Sequence, residues 1–227
     1  MIRVLIHVEG QTEESFVTQV LAPHLYDRGY VSVRPRLLGN ARPRKSRGGI
    51  PGWDSARRDI LSHLKEDSGC LSTTMVDYYG MPRTGPGAWP GREAAAHVPF
   101  LQQAVTIQDA LLDDISGEMG SGFERFIPYV VMHEFEGLLF SDCTRFARGI
   151  NHDELAQQFQ AIRDEFDSPE EINDSPTTAP SKRVELLVPG YQKPLLGTLA
   201  ALDVGLATIR AECPHFNSWL GRLEASI

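Results

Sequence analysis

The sequence predicts an α/β fold with a central, mainly parallel, four-stranded sheet that is flanked by helices and followed by a C-terminal helical extension. Three apolar runs, at residues 2–8, 71–76 and 126–132, support this prediction because helix-like stretches separate them. Continuous apolar runs of this length are typical of parallel strands that are buried on both faces. A fourth strand is predicted at residues 30–38.

The helices between these strands are predicted from apolar residues at helical spacing. The first helix is predicted at residues 12–28, with Thr12 as its N-cap. Pro23 should bend or break this helix, because proline lacks the backbone N–H that a helix interior requires. Further helices are predicted to start near Trp53, to run from about residue 99 to 115, and to start at about residue 136.

The alternation of strands and helices ends near residue 140, so we predict a core at residues 1–140 and a helical extension at residues 141–227. Within the extension, residues 167–181 are rich in Ser, Pro, Thr, Asn and Asp, which is typical of a loop or linker. Helices are predicted at residues 153–166, 194–212 and 215–225. Five leucines of the middle helix are expected in the core: Leu195, Leu196, Leu199, Leu202 and Leu206.

The composition of the 227-residue chain predicts a folded cytoplasmic protein. Its hydrophobic content of 41% is ample for a core. No run approaches the roughly 18–20 apolar residues that a membrane span requires. Acidic residues close behind the first strand argue against a signal peptide. Three widely spaced cysteines fit reduced thiols better than a disulfide framework: Cys70, Cys143 and Cys213.

Three of the predicted strands end in carboxylates. Glu9 follows the first strand, Asp77 follows the third, and Glu134 and Glu136 follow the last. Because the C-terminal ends of parallel strands meet at one edge of a sheet, we expect these side chains to form one cluster. Clustered carboxylates repel one another unless a cation or a proton compensates, and hard oxygen ligands suit Mg²⁺ or Mn²⁺. Taken alone, the glutamate after the first strand is also typical of helix capping.

The net charge of −8 argues against a protein that coats nucleic acid, but the basic residues are unevenly distributed. The segment from Arg34 to Arg47 holds six basic residues and no acidic residue. Such a loop could contact a phosphate backbone, or its charges could simply keep an exposed connection solvated. The same alternatives hold for a basic pair after the predicted linker. The residues predicted to bind nucleic acid are Arg42, Arg44, Lys45, Arg47, Lys182 and Arg183.

A strand followed by Glu-Gly, with a later strand that ends in Asp, resembles the Toprim fold of topoisomerases, bacterial primases and OLD-type nucleases. More closely, four segments resemble a family of uncharacterised bacterial and archaeal Toprim-like proteins. These segments are residues 8–14, 73–80, 133–140 and 215–219. The resemblance spans nearly the whole chain, and it implies a Toprim-like core with a metal site.

The resemblance also implies roles for individual residues. Glu9 is similar to the Toprim glutamate that is assigned to metal binding and to acid–base work at a phosphodiester. Asp77 is similar to the first aspartate of the Asp-x-Asp motif. The second aspartate would fall at Tyr79, which cannot supply a carboxylate, so a second metal would need Glu134 or Glu136 instead.

The resemblance to OLD-type nucleases, which share a Glu-Gly-x-x-Glu sequence, adds Glu13 and implies a partner ATPase in a defence or DNA-repair system. The first hypothesis is therefore a metal-dependent phosphodiesterase or nuclease. The alternative is a non-catalytic Toprim-like module that binds a nucleotide, a nucleic acid or a protein. The acidic strand ends favour the enzyme, and the missing second aspartate favours the module. The predicted catalytic residues are Glu9, Asp77 and Glu136, and the predicted Mg²⁺ or Mn²⁺ ligands are Glu9, Asp77, Glu13, Glu134 and Glu136.

Overall fold

The computed structural model describes residues 2–39, 50–172 and 178–227. The four residues Arg42, Arg44, Lys45 and Arg47 lie outside the described residues. In the described part of the chain, no single helix has the length and apolarity needed to cross a membrane. One pair of helical segments, Lys193–Val204 and Leu206–Glu212, meets those criteria together but is bent by 82°.

The predicted parallel sheet is confirmed. Its strands are β1 (Arg3–Val8), β2 (Ser32–Leu37), β3 (Cys70–Asp77), β4 (Phe126–Ile127) and β5 (Val130–Val131). The strand order is β2-β1-β3-β4, and β5 also pairs with β3. All of these pairings are parallel, and Val8 at the end of β1 is level with Leu37 and Met75 on its two neighbours. The carboxyl ends of the strands therefore meet at one edge.

The last strand, which was predicted as one run at residues 126–132, is interrupted at Pro128 and Tyr129. Proline has no N–H to donate to the ladder, which is why it interrupts strands. The Thr74 side chain compensates for the break: Tyr129 N donates to Thr74 Oγ1 at 2.9 Å, and that hydroxyl donates to Tyr129 O at 2.8 Å. The two pieces, β4 and β5, thus continue one line beside β3.

Helices cover both faces of the sheet and make up most of the C-terminal region. The first half contains α1 (Gln11–Phe16), α2 (Ala22–Asp27), α3 (Trp53–Glu66), α4 (Arg92–Ala95), α5 (Phe100–Met119) and α6 (Glu136–Leu139). The second half contains α7 (Cys143–Gly149), α8 (Ala156–Arg163), α9 (Pro180–Leu187), α10 (Thr198–Val204), α11 (Leu206–Glu212) and α12 (Pro214–Glu224). Wider π turns occur at Val17–Leu21 and Lys193–Gly197, and 3₁₀ turns occur at Phe123–Arg125, Asp153–Leu155 and Pro169–Glu171.

The start of the first helix differs from the prediction. The N-cap position is held by Gly10, and Thr12 lies buried inside the first turn. The prediction was wrong because the Glu13 side chain takes over the capping role, with Glu13 Oε2 accepting a hydrogen bond from Gly10 N at 2.9 Å. The break expected at Pro23 takes the form of the π turn at Val17–Leu21, where Ala22 N donates to Val17 O.

The sheet separates two hydrophobic clusters. One cluster joins β1, α1 and the C-terminal helices, and the other joins α3, α4, α5 and the opposite face of the sheet. In the first cluster, the Trp219 ring of α12 stacks on Tyr129 with centroids 4.3 Å apart, and Trp219 Nε1 donates to Thr73 Oγ1 at 2.9 Å. The C-terminal region therefore packs directly on the sheet.

The predicted leucine core of the 194–212 helix was wrong in part. Leu195, Leu199 and Leu202 are exposed, whereas Ala200 is fully buried. The reason is a close helix contact, since a Cβ added to Gly149 of α7 would lie 2.7 Å from the Cα atom of Ala200. Small residues thus face the core and leave the leucines outside. The predicted helix is also divided in two, because Gly205 adopts a φ of 81°.

Candidate metal centre

The carboxyl edge of the sheet brings together the five predicted carboxylates. Glu9 follows β1, Asp77 is the last residue of β3, and Glu134 and Glu136 follow β5. Glu13 lies in the first turn of α1. Burial raises the pKa of the Asp77 carboxyl well above its ordinary value, and the negative charges of all four glutamates raise it further. The five side chains therefore form one cluster, which we call the acidic cluster.

Glu9 occupies a tight place beside the loop that follows β3. A Cβ added to Gly80 would lie 3.1 and 3.2 Å from the two Glu9 carboxylate oxygens. Glu9 Oε2 is buried and has no hydrogen-bond partner among the described residues. Burial, with the charge of Glu13 as the next cause, raises the pKa of Glu9 to about 7. This carboxyl can therefore gain or lose a proton near neutral pH.

Glu136 and Asp77 resemble Glu9, because each has one buried carboxylate oxygen that is unsatisfied. Glu136 is 1% exposed, and both its Oε1 atom and Asp77 Oδ1 are buried without a hydrogen-bond partner in the described part of the chain. Burial raises the pKa of Glu136 to about 7, although the charge of Lys193 opposes the rise. Unsatisfied buried carboxylate oxygens cost free energy, so a well-packed fold retains few of them.

Lys193 supplies a positive charge inside the acidic cluster. Its Nζ atom lies 3.3 Å from Glu136 Oε2 and 3.9 Å from Glu134 Oε1. Burial lowers the pKa of Lys193, but the charges of Glu136, Glu134 and Asp77 outweigh this effect and raise the pKa above its ordinary value. No sequence motif surrounds Lys193, so its position in the cluster follows only from the packing of the C-terminal region.

Glu13 and Glu134 differ from the other three acids because backbone groups hold them. Glu13 Oε2 accepts from Gly10 N at 2.9 Å, and Glu134 Oε2 accepts from Ser181 N in the first turn of α9 at 2.8 Å. These bonds fix the two glutamates in structural roles, whether or not they also bind a ligand. The carboxylates with an unsatisfied oxygen are Glu9, Asp77 and Glu136, which are the three predicted catalytic residues.

The chain turn between β5 and α6 adopts an uncommon backbone conformation. His133 has a φ of 62°, which is the left-handed region that non-glycine residues rarely adopt. Tyr79 N donates to His133 O at 3.1 Å, so this turn is tied to the loop after β3. Tyr79 is 41% exposed. Tyr78 is buried, with the Arg92 guanidinium 3.8 Å from the centre of its ring.

The residues of the acidic cluster fit a hard divalent cation by their chemistry. All of its donors are carboxylate oxygens, which Mg²⁺ and Mn²⁺ prefer. Within the described ranges, no group of three or more His, Cys, Asp or Glu side chains is already arranged to hold a metal ion. Binding would therefore require side-chain rotations. Glu9, Asp77 and Glu136 each keep one carboxylate oxygen without a hydrogen-bond partner among the described residues, and these oxygens are the ones available to a cation.

Of the predicted basic residues, the structure describes Lys182 and Arg183, which lie on α9. Lys182 Nζ pairs with Glu185 Oε2 at 2.6 Å, and Arg183 Nη1 pairs with Glu165 Oε2 at 3.2 Å. Both side chains are therefore engaged by acids of the helical region, and a role in nucleic-acid binding stays a prediction.

The described residues on either side of segment 40–49 lie at the acidic cluster. On one side, Leu38 N donates to Val8 O at 3.0 Å, directly before Glu9. On the other side, Ile50 Cδ1 would lie 3.0 Å from a Cβ on Gly80, which also borders Glu9. The basic segment is thus connected at both ends to the edge of the sheet that carries the carboxylates.

Comparison with known proteins gives one match. The sequence profile of a family described as Domain of unknown function (DUF4276) matches residues 8–224. No curated protein and no solved structure matches the chain. The predicted membership of an uncharacterised family is thereby confirmed, whereas the more distant link to Toprim domains and OLD-type nucleases stays a prediction.

Proposed function

Because the chain belongs to the DUF4276 family, we propose its function from the acidic cluster: a divalent-cation-dependent phosphodiesterase, and specifically a nuclease. One observation carries this proposal. Three buried carboxylate oxygens, on Glu9, Asp77 and Glu136, have no partner among the described residues and come from three different strand ends of one sheet. Like charges that are held together at a cost in stability are typical of functional sites.

The chemistry follows from the residues of the acidic cluster. Bound Mg²⁺ or Mn²⁺ would polarise a phosphoryl oxygen and stabilise the charge that develops in an in-line displacement. Glu9, Asp77 and Glu136 would hold the ion. The pKa of about 7 at Glu9 and at Glu136 belongs to the metal-free protein, so binding of the ion at neutral pH would displace protons from these carboxyls. Lys193 would supply positive charge beside the reacting phosphate.

The substrate class is proposed from the basic segment and from the resemblance to OLD-type proteins. Leu38 and Ile50, which are described residues on the two sides of segment 40–49, lie near Glu9, and the arginines of the segment could bind a phosphate backbone that runs past the acidic cluster. The resemblance adds a partner ATPase and a defence or repair role to the proposal. The three cysteines are buried free thiols, which suits the reducing cytoplasm as the place of action.

The decisive test is cleavage of labelled DNA and RNA by the purified protein with Mg²⁺ or Mn²⁺. We expect Glu9→Gln and Asp77→Asn to abolish cleavage and to lower Mn²⁺ affinity, because each removes one negative charge without changing the shape. Both variants should unfold at the wild-type temperature or higher, since they relieve carboxylate repulsion.

Glu170→Gln is the matched control. Glu170 is a buried carboxyl whose pKa is raised by burial to about 6, but its two oxygens accept from His215 N and Phe216 N, each at 2.9 Å. This substitution should cost about 1 kcal/mol of stability, because it weakens a helix cap, and should leave cleavage and Mn²⁺ affinity intact. If Glu9→Gln and Asp77→Asn behave like Glu170→Gln, the carboxylates are structural.

The alternative is a non-catalytic module, and Tyr79 is the observation that favours it. An exposed tyrosine takes the place of the second aspartate of the Toprim motif, which leaves fewer carboxylates for a second metal. The module is supported instead if the wild-type protein binds Mn²⁺ and nucleic acid, but cleaves neither DNA nor RNA under conditions in which a control nuclease is active.

A further inference from the structure

The hydroxyl of Tyr191 is buried near the acidic cluster and makes no hydrogen bond within the described part of the chain. The residue is 8% exposed, and its Oη atom has no hydrogen-bond partner among the described residues. A buried hydroxyl without a partner loses its hydrogen bonds to water and gains none in return. A phenylalanine at this position would fill the same space without that cost.

The surroundings of this hydroxyl place it at the acidic cluster. A Cβ added to Gly197 would lie 3.3 Å from Tyr191 Oη and 3.2 Å from Thr12 Cγ2, so the hydroxyl lies between the start of α1 and the Lys193–Gly197 turn. Thr12 directly precedes Glu13, and Lys193 follows Tyr191 by two residues and contacts Glu136.

The electrostatic environment agrees with this placement. Burial raises the pKa of Tyr191 well above its ordinary value, and the charge of Glu136 is the next cause. Glu136 Oε1 is itself buried and without a partner among the described residues. Tyr191 Oη and Glu136 Oε1 are thus both buried without a hydrogen-bond partner among the described residues.

We propose that Tyr191 is a positioning residue of the acidic cluster, whose hydroxyl oxygen accepts a hydrogen bond from a water ligand of the bound divalent cation. This inference rests on the proposed function. Mg²⁺ keeps several of its waters when it binds to proteins, and the hydrogens of those waters need acceptors. Groups that contact the ligands of a metal orient them and strengthen binding. Tyr191 Oη takes this role from its position between the start of α1 and the Lys193–Gly197 turn.

The test compares Tyr191→Phe with Tyr129→Phe. Tyr129 Oη is also buried and without a partner among the described residues, but the Tyr129 ring stacks on Trp219 in the sheet core. Both variants should unfold at the wild-type temperature or slightly above it in EDTA, because each loses an unsatisfied hydroxyl. Mn²⁺ affinity, measured by titration calorimetry, should fall about tenfold or more in Tyr191→Phe and stay close to the wild-type value in Tyr129→Phe.

A second measurement addresses the water itself. Longitudinal relaxation of water protons in the presence of Mn²⁺-loaded protein reports how fast the bound waters exchange, and exchange should be faster in Tyr191→Phe alone. Wild-type Mn²⁺ affinity and water exchange in this variant would overturn the inference and leave the proposed function standing. Absence of Mn²⁺ binding to the wild-type protein would overturn both.

Discussion

Lys193 Nζ lies 3.3 Å from Glu136 Oε2, and this contact joins the C-terminal helical region to the edge of the parallel sheet. Glu136 is almost fully buried, whereas the Lys193 side chain is 37% exposed. The lysine therefore neutralises part of the acidic cluster while it remains in contact with solvent. A cation that enters the cluster competes with Lys193 for Glu136. The first prediction concerns the contribution of the Lys193–Glu136 contact to the stability of the metal-free protein.

Lys193→Met should destabilise the metal-free protein at pH 8 by about 1 kcal/mol. The substitution leaves Glu136 buried without its cation, which is costly, but the exposure of the lysine reduces the loss below that of a fully buried pair. Urea unfolding in EDTA measures the change. Lys182→Met is the matched control, because Lys182 pairs with Glu185 on the surface, and we expect a loss of less than about 0.5 kcal/mol. Equal effects of the two substitutions would mean that Lys193 is an ordinary surface lysine.

The metal-free protein should lose stability as the pH rises through neutrality, and Glu136 should be a cause. The folded-state pKa of Glu136 is about 7, above its ordinary value of 4.5. Its contribution is thus fully present below pH 4.5 and is lost as the pH rises through about 7. This rise in pKa corresponds to at most about 3 kcal/mol. Unfolding of the wild type and of Glu136→Gln in EDTA, between pH 5 and 8, measures the effect.

The comparison with Glu136→Gln is necessary because histidines with a lowered pKa, among them His7 and His215, act in the opposite direction. Burial lowers the pKa of His7 to about 3 and that of His215 to about 4. Both therefore reduce stability as the pH falls below about 6.5. These contributions cancel in the difference between wild type and variant. The stability of Glu136→Gln should decline less between pH 5 and 8, whereas the surface variant Glu185→Gln should follow the wild type. Parallel curves for wild type and Glu136→Gln would contradict the raised pKa.

Gly80→Ala should weaken the binding of Mn²⁺ more than it weakens the fold. A Cβ at this position would lie 3.1 and 3.2 Å from the carboxylate oxygens of Glu9 and 3.0 Å from Ile50 Cδ1. These contacts are tight, so Glu9 must move, at a cost in stability of about 1 kcal/mol. Mn²⁺ affinity from calorimetry and unfolding in EDTA separate the two effects.

Gly117→Ala is the control for this substitution. Gly117 lies within α5, and a Cβ there would meet nothing within 4 Å. It should stabilise the protein by about 0.5–1 kcal/mol, because alanine favours a helix interior over glycine, and should leave Mn²⁺ affinity unchanged. If Gly80→Ala binds Mn²⁺ as tightly as Gly117→Ala, the close packing of Glu9 against Gly80 does not contribute to Mn²⁺ binding.

The sequence could predict the acidic cluster because strand topology alone determines it. Glu9 and Asp77 follow apolar runs, and parallel pairing brings the ends of those runs to one edge. The interruption of the last strand was missed, although its cause is local, since Pro128 cannot donate a ladder hydrogen bond. Both features depend on residues that are close in sequence to the elements they define.

The contributions of Lys193 and Tyr191 could not be predicted in the same way. They reach the cluster through the packing of the C-terminal region on α1 and α6, which no local pattern encodes. The error at Leu199 has a similar origin. A helical stripe of leucines predicts a buried face, but the close approach of Gly149 to Ala200 places small residues inside instead. Packing between segments that are distant in sequence thus determines which residues are buried, and helical periodicity alone did not predict it.

The last prediction concerns the basic segment, whose flanking residues Leu38 and Ile50 lie beside the acidic cluster. Replacement of Arg42, Arg44, Lys45 and Arg47 by alanine should weaken binding of labelled DNA or RNA. It should also make the slope of log affinity against log salt shallower by up to about 3 to 4, because the nucleic acid releases fewer counterions when the protein contacts fewer phosphates. Fluorescence anisotropy at several salt concentrations in EDTA measures both effects without cleavage.

The double variant Lys182→Ala and Arg183→Ala is the control for this prediction, because Glu185 and Glu165 already pair with those side chains. The slope should change by less than about 1 in that variant. If instead the α9 pair changes the slope and the segment 40–49 does not, nucleic acid would approach the protein over the helical region, and the basic residues of the segment would contribute to solubility alone.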